Sequence, residues 1–433
     1  MLGRLSQKGW QVTGEPAAAS VLLVNTCAFI EDACQEAVDT VLELARHKDS
    51  DPGKRLVVAG CLVQRFGAEL LGELPEVDYF IGVNDFPHLA QILEREGQGQ
   101  ARLFNQAPAY GYAAPEARYG ATPPHLAYLK IAEGCSHRCT FCIIPRIRGP
   151  HRSRPLETLV REARALAASG VRELVLVAQD TTAYGRDWGG RPGIAELLTA
   201  LAAIPEFTWI RLLYSHLAHV TPELLETMAS QPRICPYLDL PIQHGHDEVL
   251  KRMGRGYSGR QVLELTRRLR EVLPQATLRT TVMVGFPGET EAHFQALTEL
   301  IREVRFEHLG VFLYCPEPGT PAALLSPQVP RRVARRRARV LKELQAGIVK
   351  ERLRALVGTV QPVLVEGVSQ ESDYLLSGRL VSQAPEIDGQ VYLTAGVGKV
   401  GEIQPVRLTR ALPYDLVGEI VETGEKAKGV KER

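Results

Sequence analysis

The chain has 433 residues, 45% of them hydrophobic and 23% charged, and its 51 basic side chains balance 50 acidic ones to a formal charge of +1. That length predicts two or three domains. The apolar fraction excludes a disordered chain, the lack of an uncharged apolar run of about 18 residues excludes a membrane helix, and the balanced charge excludes a global field that recruits nucleic acid or an acidic membrane.

The opening MLGRLSQKGW reads as a helix and lacks the apolar core of a signal peptide, so a cytoplasmic protein with no membrane contact is expected. Residues 21–27 (VLLVNTC) and 56–61 (LVVAGC) are Val- and Leu-rich runs that each end at a cysteine and precede helix-like sequence. They predict parallel strands with Cys27 and Cys61 at the C-terminal edge, where open α/β sheets place their sites. VDYFIGV at 77–83 adds a third strand, and the loose Gly-, Pro- and Tyr-rich stretch near 96–124 reads as a linker. From 125 onward HLAYLKIA, ELVLVAQD, WIRLLYSH, YLDLPIQH, LRTTVMVGF and HLGVFLYC alternate with helical segments. Six such units predict a partial or complete parallel barrel, with its chemistry at the C-terminal strand ends.

RRVARRRARVLKELQAGIVKERLRAL at 331–356 predicts a connecting helix with a solvated cationic face, an RNA contact being the alternative. Turn-separated runs from QPVLVEGV to GEIQPVRLTRAL predict a small all-β barrel between about 357 and 420. The expected organisation is an N-terminal α/β domain at 1–105, a linker at 106–120, a barrel core at 121–353, the small barrel at 354–421 and a charged tail at 422–433.

Eight cysteines in a long chain without a secretory signal read as metal ligands or redox groups before disulfides. Cys135, Cys139 and Cys142 stand as C-x3-C-x2-C at the end of the first barrel strand. Three soft thiolates on a short loop suit three corners of an iron-sulfur cube and leave its fourth iron open to a cosubstrate. Structural zinc, the alternative, requires a fourth ligand from a distance or from His137. Cys34, Cys235 and Cys315 read as packed cysteines. His244 and His246 lack a third ligand at recognised spacing and read as rim residues. GFPGET at 285–290 reads as a strand-to-helix turn with Glu289 near the helix N-terminus, or as a cofactor contact. Arg146, Arg148, Arg152 and Arg154 hold carboxylates, balance charge at the cysteines, or lie on a solvated loop.

The cysteine spacing resembles the signature of the radical S-adenosylmethionine superfamily. That resemblance implies a [4Fe-4S] cluster on Cys135, Cys139 and Cys142 whose open iron chelates the methionyl amine and carboxylate of S-adenosylmethionine. It also implies reductive cleavage to a 5'-deoxyadenosyl radical that abstracts a substrate hydrogen, and cosubstrate binding by Gln179 and Asp180. VNTCAFIEDACQEAVDTVLELA, VVAGCLVQR, GCSHRCTFCIIPRIRGPHRSRPLE and the terminal barrel together resemble the methylthiotransferase branch. The implied architecture is a flavodoxin-like domain, a radical (β/α)6 core and a TRAM barrel.

By the same resemblance Cys27 and Cys61 bind a second [4Fe-4S] cluster. Its third thiolate, expected on an opening strand, is missing from this chain, so one cluster is expected; a start assigned too far downstream is the expected cause. Cys34 is the alternative third ligand.

LVAQDTTAYGRDW and GRLVSQAPEIDGQVYL are most similar to the ribosomal-protein subgroup. This implies methylthiolation of an aspartate β-carbon in ribosomal small-subunit protein twelve, with an electron donor such as flavodoxin or ferredoxin and RNA contact secondary. Enzymes of the tRNA subgroup, which modify adenosine 37, are expected to show QN where Gln179 and Asp180 stand. A metal-binding RNA adaptor is the non-enzymatic alternative. Between 357 and 420 four basic residues face eight acidic ones, which suits a basic protein partner better than a tRNA.

Overall fold

The computed structural model describes residues 1–94, 101–103, 118–120, 122–369 and 371–421; most of the expected linker (106–117) and the charged tail lie outside the described residues. The chain divides into two compact units. One comprises Met1–Ala121, Glu133–Thr158 and Cys315–Leu324, the other Thr122–Ala132, Leu159–Tyr314 and Leu325–Arg433. Among the described residues no helix is long and apolar enough to cross a membrane.

The first unit is built on a parallel sheet of β1 (Val21–Thr26), β2 (Arg55–Gly60), β3 (Tyr79–Ile81) and β4 (Ala101–Leu103), ordered as in the chain. Strand β2 is covered on both faces, so its sequence is continuously apolar rather than alternating. Leu56 and Val58 pack with Val41 and Ala45 of the helix Glu31–Ser50 and with Leu62 and Leu70 of the helix Cys61–Glu73. Val57 and Ala59 point the other way, toward Leu5 and toward Leu89 and Leu93 of the helix Leu89–Glu94. The register sets Thr26 beside Gly60, so Cys27 and Cys61 leave adjacent strand ends. Gly60 has φ +118, and a Cβ there would lie 2.6 Å from the Thr26 carbonyl oxygen, so the close approach requires glycine.

In the second unit, β5 (Leu126–Lys130) begins a parallel sheet; the two-residue strands β6 (Ala132–Glu133) and β7 (Arg152–Ser153) flank the cysteine segment in sequence. The sheet continues through β8 (Glu173–Val177), β9 (Trp209–Leu212), β10 (Ile234–Asp239), β11 (Thr277–Val284) and β12 (His308–Leu313), with β5 and β12 at its two ends. The expected six units thus form a partial barrel. Helix starts follow their sequence signals: Ser258 and Gln261 form a capping box ahead of Gly259–Val272, and Thr290 caps Glu291–Val304.

The basic segment forms the single helix Arg331–Leu356. It leads into a closed barrel of β13 (Val360–Ser369), β14 (Ser372–Leu380), β15 (Val391–Ala395), β16 (Ile403–Ala411) and β17 (Leu416–Ile420), ordered β13-β14-β15-β17-β16. The small barrel is keyed into the parallel sheet by buried charge. Glu173, at the start of β8, accepts from Arg211 Nε at 2.8 Å and from Arg379 Nη2 at 2.5 Å, and Arg379 also reaches Glu366 at 2.8 Å. Asp388 accepts from Tyr237 Oη at 2.7 Å and from Arg279 at 2.9 Å. Glu366 and Asp388 are therefore held in internal ion pairs, and the acidic surface of the small barrel is smaller than the residue count suggests. The cationic helix face is likewise not wholly solvated: Arg337 is buried and donates to the Glu289 carbonyl at 3.2 Å.

Candidate iron-sulfur centre

In the first unit, the cysteine segment is shaped by its glycines. Gly134 has φ +75, and a Cβ there would collide with the Pro150 carbonyl oxygen, so the turn before Cys135 admits no side chain. The Cys135 N–H donates to the Gly149 carbonyl and the Cys142 N–H to the Cys139 carbonyl, each at 3.1 Å. These bonds fold the segment back on itself. Beyond it the short helix Ile144–Arg148 anchors the loop, with Ile143 and Ile147 buried in the layer that holds Leu62 and Leu70. Cys135, Cys139 and Cys142 are partly exposed thiols. The donor set of three soft sulfurs fits an iron-sulfur cluster with one iron not ligated by protein, and is not, by itself, the closed four-ligand shell of structural zinc.

The same unit carries the second cysteine pair. Cys27 is exposed at the end of β1, and Cys61 is buried at the start of the helix after β2. Arg148, six residues past Cys142, donates from Nη2 to Cys61 Sγ at 3.0 Å and from Nη1 to both carboxylate oxygens of Glu133 at 3.1 and 3.2 Å. Burial pushes the Cys61 thiol pKa up, and the charge and hydrogen bond of Arg148 pull against it. Of the four arginines after the cysteines, Arg148 thus has a specific task, favouring the thiolate that a metal requires.

Arg148→Met should therefore move the pH profile of Cys61 alkylation upward in the metal-free protein. At a fixed neutral pH the rate should fall several-fold, one pKa unit being about tenfold. Iodoacetamide labelling followed by peptide mass spectrometry checks this, and an unmoved profile would show that the guanidinium does not act on the thiol.

Cys34 is half-buried against the core of the first unit, and burial raises its pKa. Nearby, Glu317 accepts from the Glu31 N–H at 2.9 Å and from Arg65 at 3.0 Å. It supplies the cap that Ile30 cannot give the helix Glu31–Ser50. Cys315 is also partly buried, its pKa raised by burial and by Glu317. Cys235 is fully buried on β10, where burial pushes its thiol up to about 11.

In the second unit, Gln179 and Asp180 follow β8 at its C-terminal end. Asp180 is buried and accepts from Thr182 Oγ1 at 2.6 Å and the Ala183 N–H at 3.1 Å, and it pairs with His219 Nδ1 at 2.9 Å. Its oxygens are engaged in holding the strand-end loops. Gln179 differs: among the described residues its buried Oε1 has no hydrogen-bond partner, which leaves an acceptor for an amine.

Tyr214 and Gln243, past the ends of β9 and β10, both have positive φ (58° and 66°), a conformation that non-glycine residues adopt mostly where surroundings impose it. Asp239 Oδ2 accepts the Tyr214 N–H at 3.1 Å, while among the described residues its buried Oδ1 has no hydrogen-bond partner and faces Arg279 Nε at 3.7 Å. Burial pushes this carboxyl up to about 6 against the pull of Arg279. Neither Asp239 nor Arg279 was singled out from sequence; the signal was a charged residue within an otherwise apolar strand run. GFPGET is a packed turn: Glu289 accepts the Gly285 and Phe286 N–H groups and pairs with Arg337 at 3.4 Å. His244 is fully buried, its Nε2 at 3.7 Å from Glu289.

Three family profiles match the chain: Uncharacterized protein family UPF0004 over residues 1–82, the Radical SAM superfamily over 129–301 and the TRAM domain over 357–421. Among solved structures, the radical S-adenosylmethionine methyltransferase TsrM from Kitasatospora setae superposes with a TM-score of 0.54 at 14% identity, covering 80% of this chain and 68% of that one. It shares the fold. Fold and cysteine loop together define an iron-sulfur-dependent radical S-adenosylmethionine enzyme.

The curated relatives are more specific. "Ribosomal protein uS12 methylthiotransferase RimO" of Geobacter sulfurreducens is 47% identical over 422 residues, spanning 97% of this chain and 94% of the relative. The protein of that name from Trichlorobacter lovleyi is 48% identical over 423 residues, spanning 98% and 94%. The chain belongs to the RimO family of methylthiotransferases, which work with S-adenosylmethionine and whose members carry two [4Fe-4S] clusters.

Proposed function

We propose that this enzyme adds a methylthio group to the β-carbon of an aspartate of ribosomal protein uS12. The observation that carries the reading is the near-full-length identity to uS12 methylthiotransferases, on a chain that presents its three clustered thiols from one short loop. A bound cluster and S-adenosylmethionine would supply a carbon radical able to break an unactivated C–H bond, and a methyl group. The residues divide the remaining work. Cys135, Cys139 and Cys142 hold the radical cluster, and the Gly134 turn and the buried Ile143 and Ile147 fix their loop. Cys27 and Cys61 would supply two ligands of a second cluster, whose expected third thiolate this chain does not provide, with Arg148 favouring the Cys61 thiolate. The unpaired carbonyl oxygen of Gln179 accepts from the cosubstrate amine, and Asp180 orients His219 and the loop around it. A one-electron donor of the flavodoxin or ferredoxin type and a cytoplasmic setting complete the reading.

Anaerobically reconstituted enzyme, S-adenosylmethionine and a low-potential reductant should add one methylthio group to isolated uS12, read by intact-protein mass. Cys61→Ser should retain 5'-deoxyadenosine formation while losing the methylthio product. A modified tRNA adenosine beside untouched uS12 would transfer the assignment to tRNA.

A further inference from the structure

The helix Arg331–Leu356 packs through Ala334, Arg337, Ala338, Leu341, Gln345, Ile348 and Val349, a stripe at helical spacing. A second stripe runs beside it. Arg331, Arg335, Arg339 and Lys342 recur at steps of four, four and three residues and are all exposed. At a rise of about 1.5 Å per residue they stand roughly 6 Å apart along some 16 Å of helix. Among the described residues none of the four is in an ion pair, whereas Arg336 pairs with Glu291 at 3.0 Å and Arg352 with Glu307 at 2.5 Å. Unpaired cations repeated along one face repel one another, so this row is not explained as helix stabilisation.

The row borders a groove. Arg335, Arg339 and Lys342 line it together with Val311 and Leu313 of the end strand β12 and with Ala338 and Ala346, around a cavity of about 490 Å³. Among the described residues Glu343 is the one carboxylate in the lining.

We propose that this groove is a docking site for the phosphate backbone of RNA. A nucleic-acid strand carries a negative charge at every repeat whatever its sequence, and so meets a regularly spaced cation row without further specificity. An acidic peptide does so only if its own sequence supplies carboxylates at that repeat. Guanidinium forks match phosphate oxygens bidentately. The apolar lining of Val311, Leu313, Ala338 and Ala346 offers no base-edge hydrogen bonds, so recognition is of the backbone and independent of sequence. The site lies on the connecting helix and β12, outside the small barrel that matches the TRAM profile.

Fluorescence anisotropy of a labelled short oligouridylate on the full-length reconstituted enzyme tests the proposal. Phosphate contacts from the three cations lining the groove give a slope of log affinity against log salt of about −2 for a single strand. Arg335→Glu with Arg339→Glu should weaken binding by at least about tenfold and flatten the slope by about 1.4. The milder pair Arg335→Gln with Arg339→Gln should flatten it similarly. Lys350→Glu with Arg354→Glu, an equal charge change on the same helix outside the groove, should cost markedly less. Methylthiolation of isolated uS12 should be unchanged in all three variants. Three results would overturn the proposal: no binding at low salt, equal losses in the groove and control variants, or preferential capture of polyglutamate of matched charge. The last would assign the groove to an acidic protein.

Discussion

Cys139→Ser is expected to reduce reductive cleavage of S-adenosylmethionine to background, a loss of at least about a hundredfold in 5'-deoxyadenosine formed per turnover time. Replacing even the outer partners of metal ligands costs about ten- to a hundredfold, and Cys139 is itself one of the proposed ligands. A serine hydroxyl is a hard donor that stays protonated near neutrality, so one corner of the cube loses its soft anion. The Cys142 N–H bond to the residue-139 carbonyl is a backbone contact and survives the change, so the loop retains its path. The measurements are iron content after anaerobic reconstitution and chromatographic quantitation of 5'-deoxyadenosine. Full deoxyadenosine formation by the serine variant would place the radical chemistry elsewhere.

Glu173→Gln has the larger expected effect on stability. Glu173 and Arg211 are wholly buried and Arg379 nearly so. A neutral amide at position 173 would leave two desolvated guanidiniums without their shared counter-charge, a loss of about 3–5 kcal/mol. For a unit of this size that lowers the midpoint of thermal unfolding by about 5 °C or more. The pH dependence has a definite sign. Burial alone would raise the Glu173 pKa, but Arg211 and Arg379 outweigh it and hold the carboxyl below its ordinary value. A group depressed in the folded state contributes stability above its unfolded pKa, about 4.3 for Glu, and that contribution is lost as pH falls into the more acidic range. The melting difference between wild type and variant should thus be full near neutrality and close on acidification. Equal midpoints at neutral pH would show that Glu173 does not join the small barrel to the parallel sheet.

The groups legible in sequence share one property: their partners are close in the chain. C-x3-C-x2-C places three thiols within eight residues, so a candidate cluster site is legible before any tertiary contact is known. The six strand-helix units were legible because buried parallel strands are written as continuous apolar runs, and the small barrel because its turns interrupt short alternating runs. Cys27 and Cys61 were placed at strand ends by the same logic, and the Thr26 to Gly60 register makes them neighbours.

Where contacts join distant residues, the pattern carried no such information. Arg148 and Cys61 lie 87 positions apart and Glu173 and Arg379 206 apart, and no periodicity links either pair. Asp180 and Gln179 are adjacent and equally polar in sequence, yet His219 and Thr182 occupy the first while the second has, among the described residues, an oxygen without a hydrogen-bond partner. The count of carboxylates in the small barrel could not separate Asp388, held by Tyr237 and Arg279, from those facing solvent.

The sequence by itself determined the kind of element at each stretch and the soft-ligand chemistry, because backbone periodicity and donor type are local properties. Tertiary structure alone decided which charges are neutralised inside the protein and which remain available to a ligand, because that depends on burial and on the few ångströms separating residues far apart in the chain.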